Sequence, residues 1–309
     1  MATPELAVDL RALAKDYGGR VGLAGLDLAV RRGEIFGLIG PDGAGKTTAI
    51  RILCGILSAS GGAATVLGTD VLADPETVKK RIGYLSQRFS LYQDLTVAEN
   101  MTFFADLFQV APAERAKRQE ELLAFSRLGP FQDRLAGALS GGMKQKLGVS
   151  CALIHTPDLL VLDEPTTGVD PVSRRELWAL LYRLWQDGLT ILLTTPYLDE
   201  AERCTRVGLI DRGRMLVVGA PDDLKRAFPE TVYEVHGVVR HTAEEAMRGF
   251  RGLSRFEVFG DRLHAVGAAG LEGAMAAHLT RAGLQPAVRV IPPTMEDLYF
   301  HYLARREDA

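Results

Sequence analysis

A net charge of −3 over 309 residues, with no long Lys/Arg tract, gives no footing for nucleic-acid binding, and the length leaves room for about two domains with a substantial core. Cys54, Cys151 and Cys204 are widely separated in apolar or helical segments, which argues against a disulfide framework or a zinc site and fits a reducing cytosol. The N-terminus lacks a charged-then-apolar secretion pattern, and no apolar run approaches the length that crosses a bilayer.

The first segment with definite chemistry begins at Glu34. Residues 34–39 are mostly apolar and of strand length, and 46–57 carry apolar residues at helical spacing. Between them runs Gly40-Pro41-Asp42-Gly43-Ala44-Gly45-Lys46-Thr47-Thr48. Glycines there let the backbone curl so that successive N–H groups face inward, and the helix opening near Gly45 adds the positive end of its dipole. An anion cradle follows, in which Lys46 would reach β- and γ-phosphates, Thr47 would ligate Mg²⁺ and Thr48 would add a phosphate contact.

Farther along, 97–108 and 113–128 show helical apolar spacing with interspersed charge, and Gly129-Pro130 breaks the run. Ser140-Gly141-Gly142 then opens a helix expected over 143–154, a second helix N-terminus able to bind an anion, with Ser140 as hydroxyl donor. Residues 159–165 form an apolar run ending in Asp163-Glu164-Pro165, the pattern of a buried parallel strand whose carboxyl end meets a ligand. Because successive strand side chains point to opposite faces, the two acids are expected to take separate jobs. Asp163 would partner Mg²⁺ through water beside Thr47, and Glu164 would act as base or positioner for an attacking water.

A strand over 189–194 leads into Thr195-Pro196-Tyr197, and Asp211-Arg212-Gly213-Arg214 reads as a hairpin turn within 207–218. After a linker-like helix starting at Pro221, the elements alternate: strand 232–239, helix 243–250, strands 256–259 and 263–266, helix 271–282, strand 287–291. That β-α-β-β-α-β order suggests a small ferredoxin-like module. Thr294 and Asp297 are spaced as a capping box for a last helix.

Taken together, these motifs resemble the ATP-binding-cassette (ABC) ATPases over roughly the first two-thirds of the chain. The resemblance implies an α/β P-loop NTPase core with a helical subdomain at about 88–150, so that an ATPase domain over 1–222 precedes an α+β accessory domain over 223–309. It assigns Tyr17 to stacking on adenine and Gln87 to the Q-loop glutamine that touches Mg²⁺ and the attacking water. Asp170 becomes the D-loop aspartate, and also suits an N-cap with Pro171 in the first turn. Ser140, Gly141 and Gly142 match the signature loop, which in the family closes on the γ-phosphate held by a second protomer in a head-to-tail dimer. Pro196 stands where the family has a switch histidine. Proline brings neither a side-chain donor nor an N–H, so the site is expected to be slow unless Thr195 or Tyr197 fills the gap.

The cradle, the signature stretch and residues 173–178 further resemble the first half of the tandem ATPases of bacterial ABC-2-type efflux systems. With one set of motifs present, a second ATPase protomer is expected, a different cassette being favoured over a second copy. The implied cofactors are ATP and Mg²⁺, and the implied partners are ABC-2-type transmembrane permease subunits, with no nucleic acid. The implied location is cytoplasmic, peripheral on the inner face of the membrane. Phe89, Leu91, Tyr92 and Leu95 are expected to form an exposed cluster that receives a permease helix. Two other assignments are compatible with the motifs: a soluble ABC protein with a mechanochemical role, and an importer subunit.

Overall fold

The computed structural model describes residues 5–87, 91–259 and 261–307. The chain divides into two compact units, one ending at Ala220 and the other beginning at Pro221. In chain order the first unit runs β1 (Leu6–Asp16), β2 (Val21–Arg31), β3 (Ile35–Ile39), α1 (Lys46–Leu53), β4 (Gly61–Val66), β5 (Thr69–Asp70), α2 (Pro75–Arg81) and β6 (Ile82–Leu85). It continues with α3 (Val97–Leu107), α4 (Pro112–Ser126), α5 (Gly141–Leu153), β7 (Leu159–Asp163), α6 (Pro171–Gln186), β8 (Thr190–Thr195), β9 (Arg206–Asp211) and β10 (Arg214–Gly219).

Six strands form the central sheet in the order β10-β9-β3-β8-β7-β6, parallel from β9 to β6, with β10 antiparallel at one edge. β3, β7 and β8 are buried along their whole length, which is why they read as unbroken apolar runs. A second, antiparallel sheet has the order β2-β1-β4-β5. It sends Val8, Leu10, Leu13, Leu26, Leu28 and Val30 into the same core as Ile50 and Ile52 of α1. No motif announced this sheet. Its alternation is broken by register shifts between Leu10 and Leu13, around Ala12 with a φ of 44°, so the period of two does not persist along β1.

Two helix boundaries differ from the spacing. α1 stops at Leu53 rather than running to 57, because Gly55 turns left-handed where an added Cβ would lie 2.6 Å from Pro75. α5 starts at Gly141 rather than 143, because the Ser140 hydroxyl caps it, accepting from the Met143 N–H at 3.3 Å.

The second unit contains α7 (Pro221–Arg226), β11 (Thr231–His236), α8 (Arg240–Met247), β12 (Leu253–Phe259), β13 (Arg262–Gly267), α9 (Glu272–Arg281), β14 (Ala287–Ile291) and α10 (Met295–Glu307). Its sheet is antiparallel throughout in the order β12-β13-β11-β14, the split β-α-β pattern of ferredoxin-like modules. Tyr233, Val235, Leu263 and Ala265 form its core with Met247 of α8 and with Met275 and Leu279 of α9. Thr294 and Asp297 cap α10 reciprocally: Asp297 Oδ2 accepts from the Thr294 N–H at 2.9 Å, and Thr294 Oγ1 accepts from the Asp297 N–H at 3.3 Å. Among the described residues, no helix is long and apolar enough to cross a membrane.

Candidate functional site

The turn from β3 into α1 is set by close packing. Gly40 lies so near the Ile210 carbonyl that a Cβ would come within 2.1 Å of it, and Gly45 adopts a φ of 106° facing the Gly22 carbonyl. Only glycine fits both places. Among the described residues no side chain caps α1, and its first turn holds no acidic residue, which leaves its leading N–H groups suited to an anion. Lys46, 3% exposed, folds back over the loop. Its ammonium donates to the Gly40 carbonyl at 2.8 Å and the Pro41 carbonyl at 3.0 Å, and pairs with Glu164 Oε1 at 3.1 Å.

Asp163 closes β7. Its Oδ1 accepts from Thr47 Oγ1 at 3.1 Å and from Thr194 Oγ1 at 2.7 Å. Burial pushes its carboxyl above the ordinary carboxylate range, only partly offset by those two hydroxyl donors. Strand alternation does not extend to Glu164: β7 ends at Asp163, and Glu164 takes a left-handed φ of 51°, with partners different from those of Asp163. Its N–H donates to Thr194 Oγ1 at 3.0 Å, while its Oε2 accepts from Gln87 Nε2 at 2.8 Å and from Thr167 Oγ1 at 3.3 Å.

These groups open onto a cleft of about 750 Å³ lined by Asp42, Gly43, Gly45, Lys46, Thr47, Thr48, Gln87 and Glu164, with Tyr17 at one side. Tyr17 is half exposed, its ring lies against Gly22, and its hydroxyl is 3.3 Å from Thr48 Oγ1. Motif reading missed Arg20, Val21, Gly22 and Arg51, which also line the cleft. Gly18-Gly19 between two apolar runs was the available signal for a hairpin that carries the first three of them there. A Thr47 hydroxyl beside a buried carboxylate suits a small hard cation that keeps water and phosphate oxygens as its remaining ligands. Among the described residues no group of three or more His, Cys, Asp or Glu side chains is placed to hold a metal.

A sequence profile described as ABC transporter matches residues 23–167. The chain is 47% identical over 226 residues to the probable multidrug ABC transporter ATP-binding protein YbhF of Escherichia coli, covering 72% of this chain and 39% of that relative. It is 38% identical over 303 residues to the Nod factor export ATP-binding protein I of a Rhizobium species, covering 97% of this chain and 98% of that one. This chain belongs to the ABC transporter family. Of solved structures, cbiO1 from Clostridium perfringens, part of the ABC transporter complex cbiONQ, superposes with a TM-score of 0.67 at 26% identity, over 72% of this chain and 92% of that one.

The remaining cassette motifs are held apart from the cleft. Ser140, Gly141 and Gly142 begin α5 and lean on α6: a Cβ on Gly142 would meet Ser173 at 2.2 Å. Asp170 caps α6, accepting from the Val172 and Ser173 N–H groups at 3.0 Å each. The Ser173 side chain first, and then these N–H donors, draw its carboxyl below the ordinary range. None of these four lines the Lys46 cleft. Pro196 follows β8, whose terminal Thr195 carbonyl accepts from the Gly40 N–H at 3.4 Å, so the proline sits at the base of the cradle. Both neighbours have partners of their own. Thr195 is fully buried and donates to Glu200 at 2.7 Å, and the Tyr197 ring lies under the Arg174 guanidinium at 4.6 Å.

The expected docking cluster needs correction at Leu91, which is 7% exposed and belongs to the interior. Leu95 is half-buried, and Phe89 lies outside the described residues. Tyr92 does face solvent, and it packs edge-on against the partly exposed Phe103 of α3 with ring centroids 4.6 Å apart, a partner the sequence reading missed.

Proposed function

We propose that this chain is the ATP-binding and ATP-hydrolysing subunit of an ABC-2-type membrane exporter, working with transmembrane permease subunits and a second ATPase protomer on the inner face of the membrane. The observation that carries it is the contact of one carboxylate, Glu164, with both Lys46 and Gln87 at the mouth of a glycine-built anion cradle. In this reading the cradle and Lys46 bind the β- and γ-phosphates, and Tyr17 stacks on adenine. Thr47, Gln87 and Asp163 would hold Mg²⁺, which supplies charge neutralisation on the phosphates. Glu164, released from Lys46 when the phosphates take that cation, orients and deprotonates the attacking water while Gln87 steadies it.

Ser140, Gly141, Gly142 and Asp170 have no nucleotide of their own to bind in this cleft, which supports their use across a head-to-tail dimer on the partner's triphosphate. ATP is then the glue of the dimer, and hydrolysis releases it. Pro196 removes one donor to the transferring phosphoryl group, so this site turns over slowly, and a partner cassette with an intact histidine supplies the faster one. Export as the direction is supported by a relative along nearly the whole chain whose name is Nod factor export ATP-binding protein.

A Glu164→Gln variant, with ATP and Mg²⁺, should accumulate as a dimer by light scattering, alone or with a partner cassette, and ADP should not sustain it. A chain that remains monomeric with every candidate cassette overturns the reading. Co-purification of a polytopic membrane protein supports the exporter assignment, and ribosome or DNA association instead would sink it.

A further inference from the structure

Behind the cleft lies a carboxylate that no motif assigns. Glu200 is 1% exposed. Its Oε2 accepts from Thr195 Oγ1 at 2.7 Å and from Thr166 Oγ1 at 2.9 Å, and its Oε1 accepts from Trp178 Nε1 at 3.3 Å, with Arg174 Nε 3.7 Å away. Both threonines are fully buried, so the O–H donor of each would go unpaired without it. The donors come from three places: the turn after β7, the end of β8, and α6.

Those places are the ones that set Glu164. Its left-handed backbone is held on one side by the N–H bond to Thr194, next to Thr195, and on the other by the turn in which the Thr167 N–H donates to the Glu164 carbonyl at 3.2 Å, next to Thr166. A single carboxylate oxygen therefore ties the two anchors of the strained residue together. The Tyr197 N–H also donates to Thr195 Oγ1 at 3.1 Å, which brings the chain around Pro196 into the same knot.

We infer that Glu200 is a positioning residue for ATP hydrolysis, fixing the turn that follows Glu164 against the loop that carries Pro196 and so setting where Glu164 stands relative to Lys46. This rests on the hydrolytic reading above. Glu200 touches no substrate. Its effect passes through Thr166 and Thr195, and its loss would move the attacking water's base without disturbing the cradle that binds nucleotide.

The test compares Glu200→Gln with wild type for radiolabelled-ATP turnover, KM and fluorescent-nucleotide affinity. The glutamine keeps the volume but has one acceptor oxygen in place of two, so it cannot accept from both the threonine pair and Trp178 Nε1, and either orientation sets its NH₂ against a donor. It should lower kcat about tenfold with KM and nucleotide affinity within about twofold, because displacement of a reacting group costs rate more than binding. Thr166→Val, which deletes one donor, should lower kcat in the same direction, and the double variant should be no slower than Glu200→Gln alone. If Glu200→Gln does not fold, Thr166→Val carries the prediction by itself. Unchanged kcat, a loss confined to KM, or additive losses in the double variant would overturn the role of Glu200. A wild-type chain that hydrolyses no ATP, alone or with a partner cassette, overturns the hydrolytic reading and this role with it.

Discussion

Each unit buries a carboxylate among donors, and the two are satisfied to different degrees. In the second unit, Asp297 accepts from Arg255 at 2.8 Å, from His264 at 2.7 Å, and from both the N–H and the hydroxyl of Thr294. Burial alone would push its carboxyl up, but His264 and Thr294 outweigh that and bring it down to about 2. In the first unit, Asp163 has, among the described residues, two hydroxyl donors on one oxygen, and burial wins. Beside it, Glu164 and Lys46 are paired, yet two of the ammonium's three contacts are carbonyls of its own loop, partners a phosphate can replace at little cost. A fully paired buried charge is a strut. One left short of partners, or holding exchangeable ones, is placed to act.

The contrast breaks most visibly at Lys46. Lys46→Ala should lower ATP turnover by at least about a hundredfold and weaken nucleotide binding, since it removes the cation proposed to hold phosphate and leaves the buried Glu164 with only Gln87 and Thr167 as donors and no countercharge; turnover assays and equilibrium binding with fluorescent ATP would check the two. Asp297→Ala, at the saturated site, should instead cost about 2–3 kcal/mol of stability in the second unit, toward the low end for a broken buried pair because Arg255 and His264 keep some access to water. Denaturant unfolding measures that loss, and ATP affinity should stay at the wild-type value. If affinity falls with stability, the two sites are not independent.

Acid sharpens the same comparison. Asp297 has a folded-state value of about 2, below the ordinary ~3.9, so its contribution is fully present above about pH 4 and is lost as the pH falls from 4 toward 2. Asp163, shifted upward, has the opposite sign, because the folded state prefers its protonated form and ionisation costs stability as the pH rises above the ordinary value. The unfolding free-energy gap between wild type and Asp297→Asn should therefore shrink by about 2 kcal/mol between pH 5 and pH 2. A gap that does not change with pH would show that packing, not charge, is what Asp297 supplies. The smallest effect is expected from Pro196→His, about a tenfold gain in turnover, below the full worth of a preorganised donor because the loop is shaped around proline. Wild-type turnover that histidine does not improve would refute the slow-site reading.

Features built within a few consecutive residues were legible in the sequence as local backbone. Gly40 to Thr48, Asp163-Glu164 and Ser140 to Gly142 are contiguous because a glycine turn into a helix, a strand end and a helix N-terminus are each built within a few residues, and the capping pair Thr294 and Asp297 was legible for the same reason. Tertiary structure decided what depended on distant segments meeting: the Thr47 and Asp163 contact across 116 residues, the Lys46 and Glu164 pair, the hub at Glu200, the antiparallel sheet over which Arg20 to Gly22 reach the cleft, and the burial of Leu91. The left-handed turn at Glu164 belongs with these, since its φ of 51° persists through Thr194 and the turn to Thr167 and not through any preference of glutamate. Side-chain periodicity carries only the direction a residue would face in an ideal element, whereas strain, exposure and exchangeable ion pairs arise when separate elements are packed against one another.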